Sequence, residues 1–134
     1  MYNFYMTDKT LLLGKAAEYL FISHLLMNGI ECYVPVGEAS RIDVLTGSSL
    51  KRCQVKMIYK SKTQSGLWIR KAGGQKGKTY TYSSLDVDFM IGADLDSMSV
   101  YIVPIEDIAR YKAIMGLKAL ERGRYMNNFS LLTQ

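Results

Sequence analysis

Two adjacent β-strands are predicted in Arg41-Ile-Asp-Val-Leu-Thr-Gly-Ser-Ser-Leu-Lys-Arg-Cys-Gln-Val-Lys-Met-Ile58. In the second half Gln54 and Lys56 alternate with apolar residues, and a period of two directs both side chains to one face of a sheet. Asp43 alternates with apolar residues in the same way in the first half. The turn residues Thr46-Gly-Ser-Ser49 predict a hairpin between the halves. This hairpin would place Asp43 alongside Gln54 and Lys56.

The polar groups of this hairpin are those needed to hold a hard cation and to position a water molecule. Magnesium prefers oxygen ligands, and Asp43, the Gln54 amide oxygen and the Val55 backbone carbonyl could supply them. Lys56 could orient or deprotonate an attacking water, or stabilise negative charge on a phosphate. The alternative is that these residues form the wet face of an amphipathic hairpin, and the spacing is compatible with both interpretations.

Length and composition indicate a single domain spanning residues 1–134. Apolar residues make up 49% of the chain and charged residues 22%, as in ordinary globular proteins. The first residues lack the basic and apolar blocks of a signal peptide, and no run of eighteen apolar residues is present. We therefore expect a cytoplasmic protein without a membrane segment. Cys32 and Cys53 lack metal-ligand spacing and are expected to be reduced core thiols.

A basic arm is predicted at about residues 59–82. The formal net charge of +5 favours a polyanionic partner, and residues 57–85 contain no Asp or Glu. The basic residues of the arm are Lys60, Lys62, Arg70, Lys71, Lys76 and Lys78. Aromatic residues and glycines are interleaved with them, a pattern that suits a segment following a nucleic-acid backbone. A solvated loop is the alternative.

A helix is predicted before the hairpin. Thr7 and Asp8 can cap it, and Gly29 would end it after about residue 28. Residues at helical spacing predict its buried stripe, which comprises Leu13, Ala16, Ala17, Leu20, His24 and Met27. His24 is the single histidine of the chain, and we interpret it as a core or boundary residue.

Further strands and a second helix are predicted on either side of the arm. Residues 31–36 are predicted to form a strand, and Pro35 at its end indicates either an edge position in the sheet or an early finish. Residues 86–92 and 98–104 are predominantly apolar, which predicts central, covered strands. Residues 106–122 predict a second helix, within a C-terminal helical extension at about residues 105–134.

Several motifs, in this order, resemble the PD-(D/E)XK nuclease superfamily. They are Gly14-Lys-Ala-Ala-Glu18, Tyr33-Val-Pro-Val-Gly37, Arg41-Ile-Asp43, Cys53-Gln-Val-Lys56, Asp86-Val-Asp-Phe and Tyr101-Ile-Val-Pro104. The closest resemblance is to the small endonucleases that include a group I intron homing endonuclease, with Holliday junction resolvases as cousins. It implies an α/β fold with a restriction-endonuclease-like core, in which helices flank a mixed β-sheet in the order αβββαβ.

The resemblance also implies roles for individual residues. Asp43 would be the central metal ligand and Lys56 the motif lysine. Glu18 would be the helix carboxylate that faces the site, although it could instead be a surface partner of Lys15. Gln54 takes the place of the usual Asp or Glu, which removes one negative charge from the metal site, and Ile42 stands where the motif has Pro.

The implied activity is hydrolysis of DNA phosphodiesters with Mg²⁺, for which Mn²⁺ could substitute, at specific sites in double-stranded or branched DNA. Cutting both strands needs two sites, so a homodimer or homotetramer is expected. The expected DNA contacts are Lys15, Arg41, Lys60, Lys62, Trp68, Arg70, Lys71, Lys76 and Lys78. Base contacts are expected from Gln64, Trp68, Arg70 or Gln75. The alternatives are a structure-specific Holliday junction resolvase, a catalytically decayed DNA-binding protein and an RNA-directed enzyme.

Overall fold

The computed structural model describes residues 2–37, 40–47, 49–72 and 79–134, with side chains from residue 9 onward except those of residues 70–80. In chain order its elements are α1 (Tyr2–Met27), β1 (Cys32–Tyr33), β2 (Val44–Thr46), β3 (Arg52–Met57), β4 (Tyr59–Lys60), β5 (Ser65–Trp68), β6 (Arg70–Ala72), β7 (Thr79–Thr81), β8 (Phe89–Asp94), β9 (Ser99–Pro104), α2 (Ile105–Ile108), β10 (Ile114–Gly116) and α3 (Leu117–Arg122). A 3-10 helix over Phe129–Thr133 follows.

A five-stranded mixed sheet in the order β1-β2-β3-β8-β9 forms the centre of the fold. The predicted hairpin is confirmed, since β2 and β3 pair antiparallel with Val44 opposite Cys53 and Leu45 opposite Arg52. β3 and β8 pair in parallel, which requires a long crossover. That crossover contains β4 to β7, where an αβββαβ order has a helix. The predicted edge strand is confirmed as β1. β8 is central as predicted, but β9 lies at an edge of the sheet.

Helix α1 covers one face of this sheet and forms the first core with it. The buried side chains of α1 are Ala17, Leu20, Phe21 and Leu25. Of the predicted stripe, Leu13 and His24 are half-buried, whereas Ala16 and Met27 are exposed. The stripe was therefore partly wrong, because α1 is apolar around most of its circumference and periodicity could not select the buried face. Cys53 is buried in this core, and burial raises the pKa of its thiol.

The N-terminal end of α1 differs from the prediction, whereas its C-terminal end agrees with it. The helix begins at Tyr2, before the predicted cap, and ends at Met27. Gly29 follows with a φ of +71°, the left-handed conformation with which glycine ends helices. Within α1, Lys9–Met27 is long and apolar enough to cross a membrane by length and composition alone, which the sequence analysis did not detect. Its buried residues pack on the sheet, as those of a core helix do.

The basic arm is anchored in a second core on the opposite face of the main sheet. β5 pairs with β4 and β10 in a three-stranded sheet, and β6 pairs with β7 in a separate hairpin. Leu67 and Ile69 of the arm are fully buried together with Met90 of β8 and Val103 of β9. The arm is therefore packed against the domain at its base and is not an extended loop over its whole length.

The prediction of a second helix over residues 106–122 is wrong. This segment forms α2, then β10, then α3, and β10 pairs antiparallel with β5 so that Met115 lies opposite Leu67. Met115 and Leu120 both reach the second core, the first from a strand and the second from a short helix. Helical spacing could not distinguish these arrangements, because the strand pairing depends on residues distant in sequence. Near the C-terminus, Leu132 is buried in the first core.

Candidate active site

Asp43 is held against β3 at the end of the hairpin, immediately before β2. Its backbone N–H donates a hydrogen bond to the Cys53 carbonyl at 2.9 Å, and its carboxylate Oδ2 accepts one from the Val55 N–H at 2.8 Å. The paired residues of β2 and β3 end at Val44 and Cys53, so Asp43 lies one residue beyond the pairing. Its bonds go to Cys53 and Val55, the two residues on either side of Gln54, and they hold Asp43 beside this part of β3 as the hairpin predicted.

The carboxyl group of Asp43 is costly to ionise. Burial raises its pKa to about 6, the Val55 N–H opposes this rise, and the charge of Glu18 adds to it. The positive charges of Lys15 and Lys56 act in the opposite direction. Glu18 from α1 and Lys56 from β3 are therefore both close enough to Asp43 to alter its protonation, so the two elements contribute charge to one site.

A cleft of about 340 Å³ opens beside Asp43. Its lining includes Lys15, Glu18, Tyr19, Ser40, Ile42 and Asp43. The Glu18 side chain is 21% exposed, and its Oε2 lies 3.6 Å from the Lys15 ammonium. Glu18 therefore pairs with Lys15 along the helix, and it also faces the cleft, where its charge raises the pKa of Asp43.

Lys56 lies beside an aromatic ring that the sequence analysis did not place in the site. Its Nζ is 5.4 Å from the centroid of the Tyr82 ring, within the range of a cation–π interaction. Tyr82 is only 3% exposed. In sequence Tyr82 was one aromatic residue of the basic arm, and no local signal connects it with Lys56, because the two residues meet only through the crossover from β3 to β8.

Two arginines of the hairpin bind the acidic residues that precede β8. The Arg52 guanidinium donates to both oxygens of Asp88, at 3.2 and 3.0 Å, and the Arg52 backbone N–H donates to Asp88 at 2.8 Å. These bonds hold the pKa of Asp88 below its ordinary value. Arg41 pairs with Asp86. The acidic motif before β8 therefore braces the hairpin, and a DNA contact by Arg41 would have to compete with this ion pair.

Comparison with known proteins assigns the chain to a protein family. Residues 8–130 match the family model described as PD-(D/E)XK endonuclease. The chain belongs to the PD-(D/E)XK endonuclease family. The protein is thus a nuclease by family, as the order of motifs in the sequence predicted. The fold is similar to that of a solved bacterial homing endonuclease, I-Ssp6803I, with a TM-score of 0.79, 21% identity and coverage of 92% of each chain. No curated protein matches the sequence.

The donor atoms of this PD-(D/E)XK site fit a divalent cation, the kind of metal that such nucleases generally use. Among the residues that the structure describes, no three His, Cys, Asp or Glu side chains form a metal-binding group. The cleft instead has two carboxylates, Asp43 and Glu18, and Gln54 with its amide oxygen lies in the neighbouring strand β3. All three are hard oxygen donors. Because burial and Glu18 both disfavour the ionised form of Asp43, a cation at this point would offset a charge that the protein alone leaves unfavourable.

Within the basic arm of the endonuclease, the predicted DNA contacts whose side chains can be described lie in and beside β4 and β5. Lys60 is held by Asp94 and Asp96, with Nζ to oxygen distances of 2.9 and 3.0 Å, so these carboxylates already offset its charge. This pairing argues against Lys60 as a phosphate contact. Lys62 is exposed in the turn that follows, and Trp68 is 37% exposed.

The rest of the predicted DNA surface is outside what can be described. Arg70 and Lys71 lie in β6, but their side chains are not among the described ones. Gln75, Lys76 and Lys78 lie outside the described residues altogether. Their contacts with DNA stay predictions.

Proposed function

We propose that this endonuclease hydrolyses DNA phosphodiesters at specific sites with Mg²⁺, and that Mn²⁺ can replace Mg²⁺. The proposal is carried by the Asp43 carboxylate, which the Val55 N–H anchors at 2.8 Å and whose pKa responds to both Glu18 and Lys56. An anchored acidic oxygen next to a lysine is an arrangement suited to binding a metal and a phosphate together. The similarity to a homing endonuclease supports cutting at specific sites.

Each residue of the site would have a distinct task. Asp43, the Gln54 amide oxygen and the Val55 carbonyl would hold the cation, and Glu18 would hold a second one or an outer water. When bound, the cation stabilises negative charge on the phosphate and lowers the pKa of a water. The Val55 N–H keeps the Asp43 oxygen oriented. The Lys56 ammonium holds the attacking water or stabilises the charge that develops on the phosphate.

Metal-dependent cleavage is the first test of this proposal. Linear duplex, plasmid and four-way-junction DNA would be incubated with Mg²⁺, Mn²⁺ or EDTA. We expect discrete fragments from duplex DNA with either cation and none with EDTA. Cleavage confined to the junction would favour a resolvase, and DNA binding without cleavage would favour a decayed nuclease. An RNA duplex of matched length would detect an RNA-directed enzyme. Cleavage that persists in EDTA would contradict the metal requirement.

The basic arm is the part of the molecule that we propose contacts the DNA backbone. We propose a cytoplasmic single-domain protein in which the basic arm contacts phosphates, with Lys62, which is exposed in the turn after β4, as one of the contacts. Such contacts release counterions from DNA, so affinity should fall steeply with salt.

We also propose that the protein is a homodimer or homotetramer in which helix α1 contributes an interface. Leu12, Tyr19 and Leu26 are 71%, 66% and 59% exposed and recur at intervals of seven residues, so they share the helix face opposite the sheet. The stripe is symmetric about Tyr19. Two antiparallel copies of α1 would therefore set Leu12 against Leu26 of the partner subunit about a twofold axis.

Leu26→Glu is expected to shift the protein towards the monomer, because it places a charge in this stripe outside the cleft. Light scattering coupled to size exclusion, over a series of protein concentrations, would measure the change. Leu85→Glu is the matched control, since Leu85 is 89% exposed and lies in a loop before β8. A wild-type protein that is monomeric at every concentration would contradict the proposed interface, and so would equal dissociation by both variants.

A further inference from the structure

Tyr82 closes the base of the β6–β7 hairpin and belongs to the second core. It directly follows β7, and its backbone N–H donates to the carbonyl of Ile69, which directly precedes β6, at 3.4 Å. Tyr82 and Ile69 are 3% and 0% exposed. The ring of Tyr82 is therefore a buried group at the junction of the basic arm with the main sheet.

The ring offers the Lys56 ammonium a kind of contact that differs from an ion pair. The Nζ of Lys56 lies 5.4 Å from the ring centroid, where the electron-rich face attracts a cation. An ion pair such as that of Lys60 with Asp94 fixes an ammonium but neutralises it. An aromatic face restricts the flexible lysine stem without supplying a negative counter-charge.

We propose that Tyr82 is a positioning residue that holds the Lys56 ammonium at the cleavage site. The proposal rests on the proposed function, since it gives Tyr82 a role through a lysine that acts in cleavage. The base of the hairpin is closed by the backbone N–H of Tyr82, which a substitution of the ring retains, so the position of Lys56 can be changed separately from the arm.

The test compares Tyr82→Phe, which keeps the ring, with Tyr82→Leu, which removes it. An aromatic ring shifts protons over its face upfield, so the NMR signals of the Lys56 ε-CH₂ group report the contact directly. We expect upfield signals in the wild type and in Tyr82→Phe, and their loss in Tyr82→Leu. In single-turnover cleavage at saturating DNA and Mg²⁺, Tyr82→Leu is expected to be slower by about tenfold, Tyr82→Phe within about threefold of wild type, and the Kd for DNA unchanged within about twofold, as for loss of a partly desolvated cation–π contact.

Phe89→Leu is the control for loss of a buried ring. Phe89 is 8% exposed and packs in the first core, on the opposite face of the sheet from Tyr82. It should lower the Tm but leave the Lys56 signals and the cleavage rate of the folded protein unchanged. All rates would be measured well below the Tm of each variant. The wild-type NMR signal tests the contact even if Tyr82→Leu does not fold.

The outcomes separate this inference from the proposed function. A wild type that cleaves no DNA would overturn both. Lys56 signals without an upfield shift in an active wild type would overturn the positioning role alone. The same holds if Tyr82→Leu cleaves at the wild-type rate, or if Tyr82→Phe is as slow as Tyr82→Leu, since the ring is then not what matters.

Discussion

Lys56→Ala is expected to slow single-turnover DNA cleavage by about 10²- to 10³-fold, the usual loss when one group that stabilises transition-state charge is removed. The ammonium influences the Asp43 carboxyl and lies over the Tyr82 ring, so it is held near the proposed cleavage site at Asp43. Its removal should change the chemical step far more than DNA affinity. The rate would be measured with enzyme in excess over DNA and with Mg²⁺, and binding with Ca²⁺ in its place.

Lys56→Arg and Lys112→Ala complete this experiment. A guanidinium keeps the positive charge but does not act as a base, so partial activity of Lys56→Arg would assign Lys56 an electrostatic role. Lys112 is exposed and lies between α2 and β10, and its replacement should leave the rate unchanged. If Lys56→Ala retained the wild-type rate, Lys56 would have no part in cleavage and the proposed mechanism would fail.

Asp43→Asn is expected to abolish cleavage and at the same time to stabilise the metal-free protein at pH 7. The pKa of Asp43 is raised from 3.8 to about 6, so ionising this carboxyl costs the native state free energy. At about 1.4 kcal/mol per pKa unit, the neutral amide should raise the free energy of unfolding by about 1–3 kcal/mol. Asn can still accept the hydrogen bond from the Val55 N–H, but it lacks the charge that would attract a cation.

The pH dependence has a definite sign. A native pKa above the unfolded value means that the native state binds the proton more tightly, so the contribution of Asp43 to stability falls as pH rises from about 4 to about 6 and stays constant above. Urea unfolding in EDTA should therefore show wild type and Asp43→Asn converging below about pH 4. Asp96→Asn is the control, because its carboxylate is 82% exposed. Equal stability of wild type and Asp43→Asn at pH 7 would contradict the conclusion that ionisation of the buried Asp43 carboxyl costs the native state free energy.

The hairpin was predictable because its signals are local. Alternation indicated that Gln54 and Lys56 share one face of β3, and the turn after β2 brought Asp43 beside β3. Pro35 indicated the edge strand, and Gly29 marked the end of α1 in the same way. The order of these motifs was sufficient to predict the family.

Other features depend on contacts between residues that are distant in sequence, and only the tertiary structure shows them. Met115 lies in a strand because β10 pairs with β5, and the helical spacing of its segment could not indicate this pairing. The buried face of α1 was chosen by the sheet, since the helix is apolar around most of its surface. The raised pKa of Asp43 and the ring beneath Lys56 likewise follow from burial and from the crossover that brings Tyr82 back to β3. Local periodicity thus indicated the candidate site residues, whereas long-range packing determined the charge state and surroundings of their side chains.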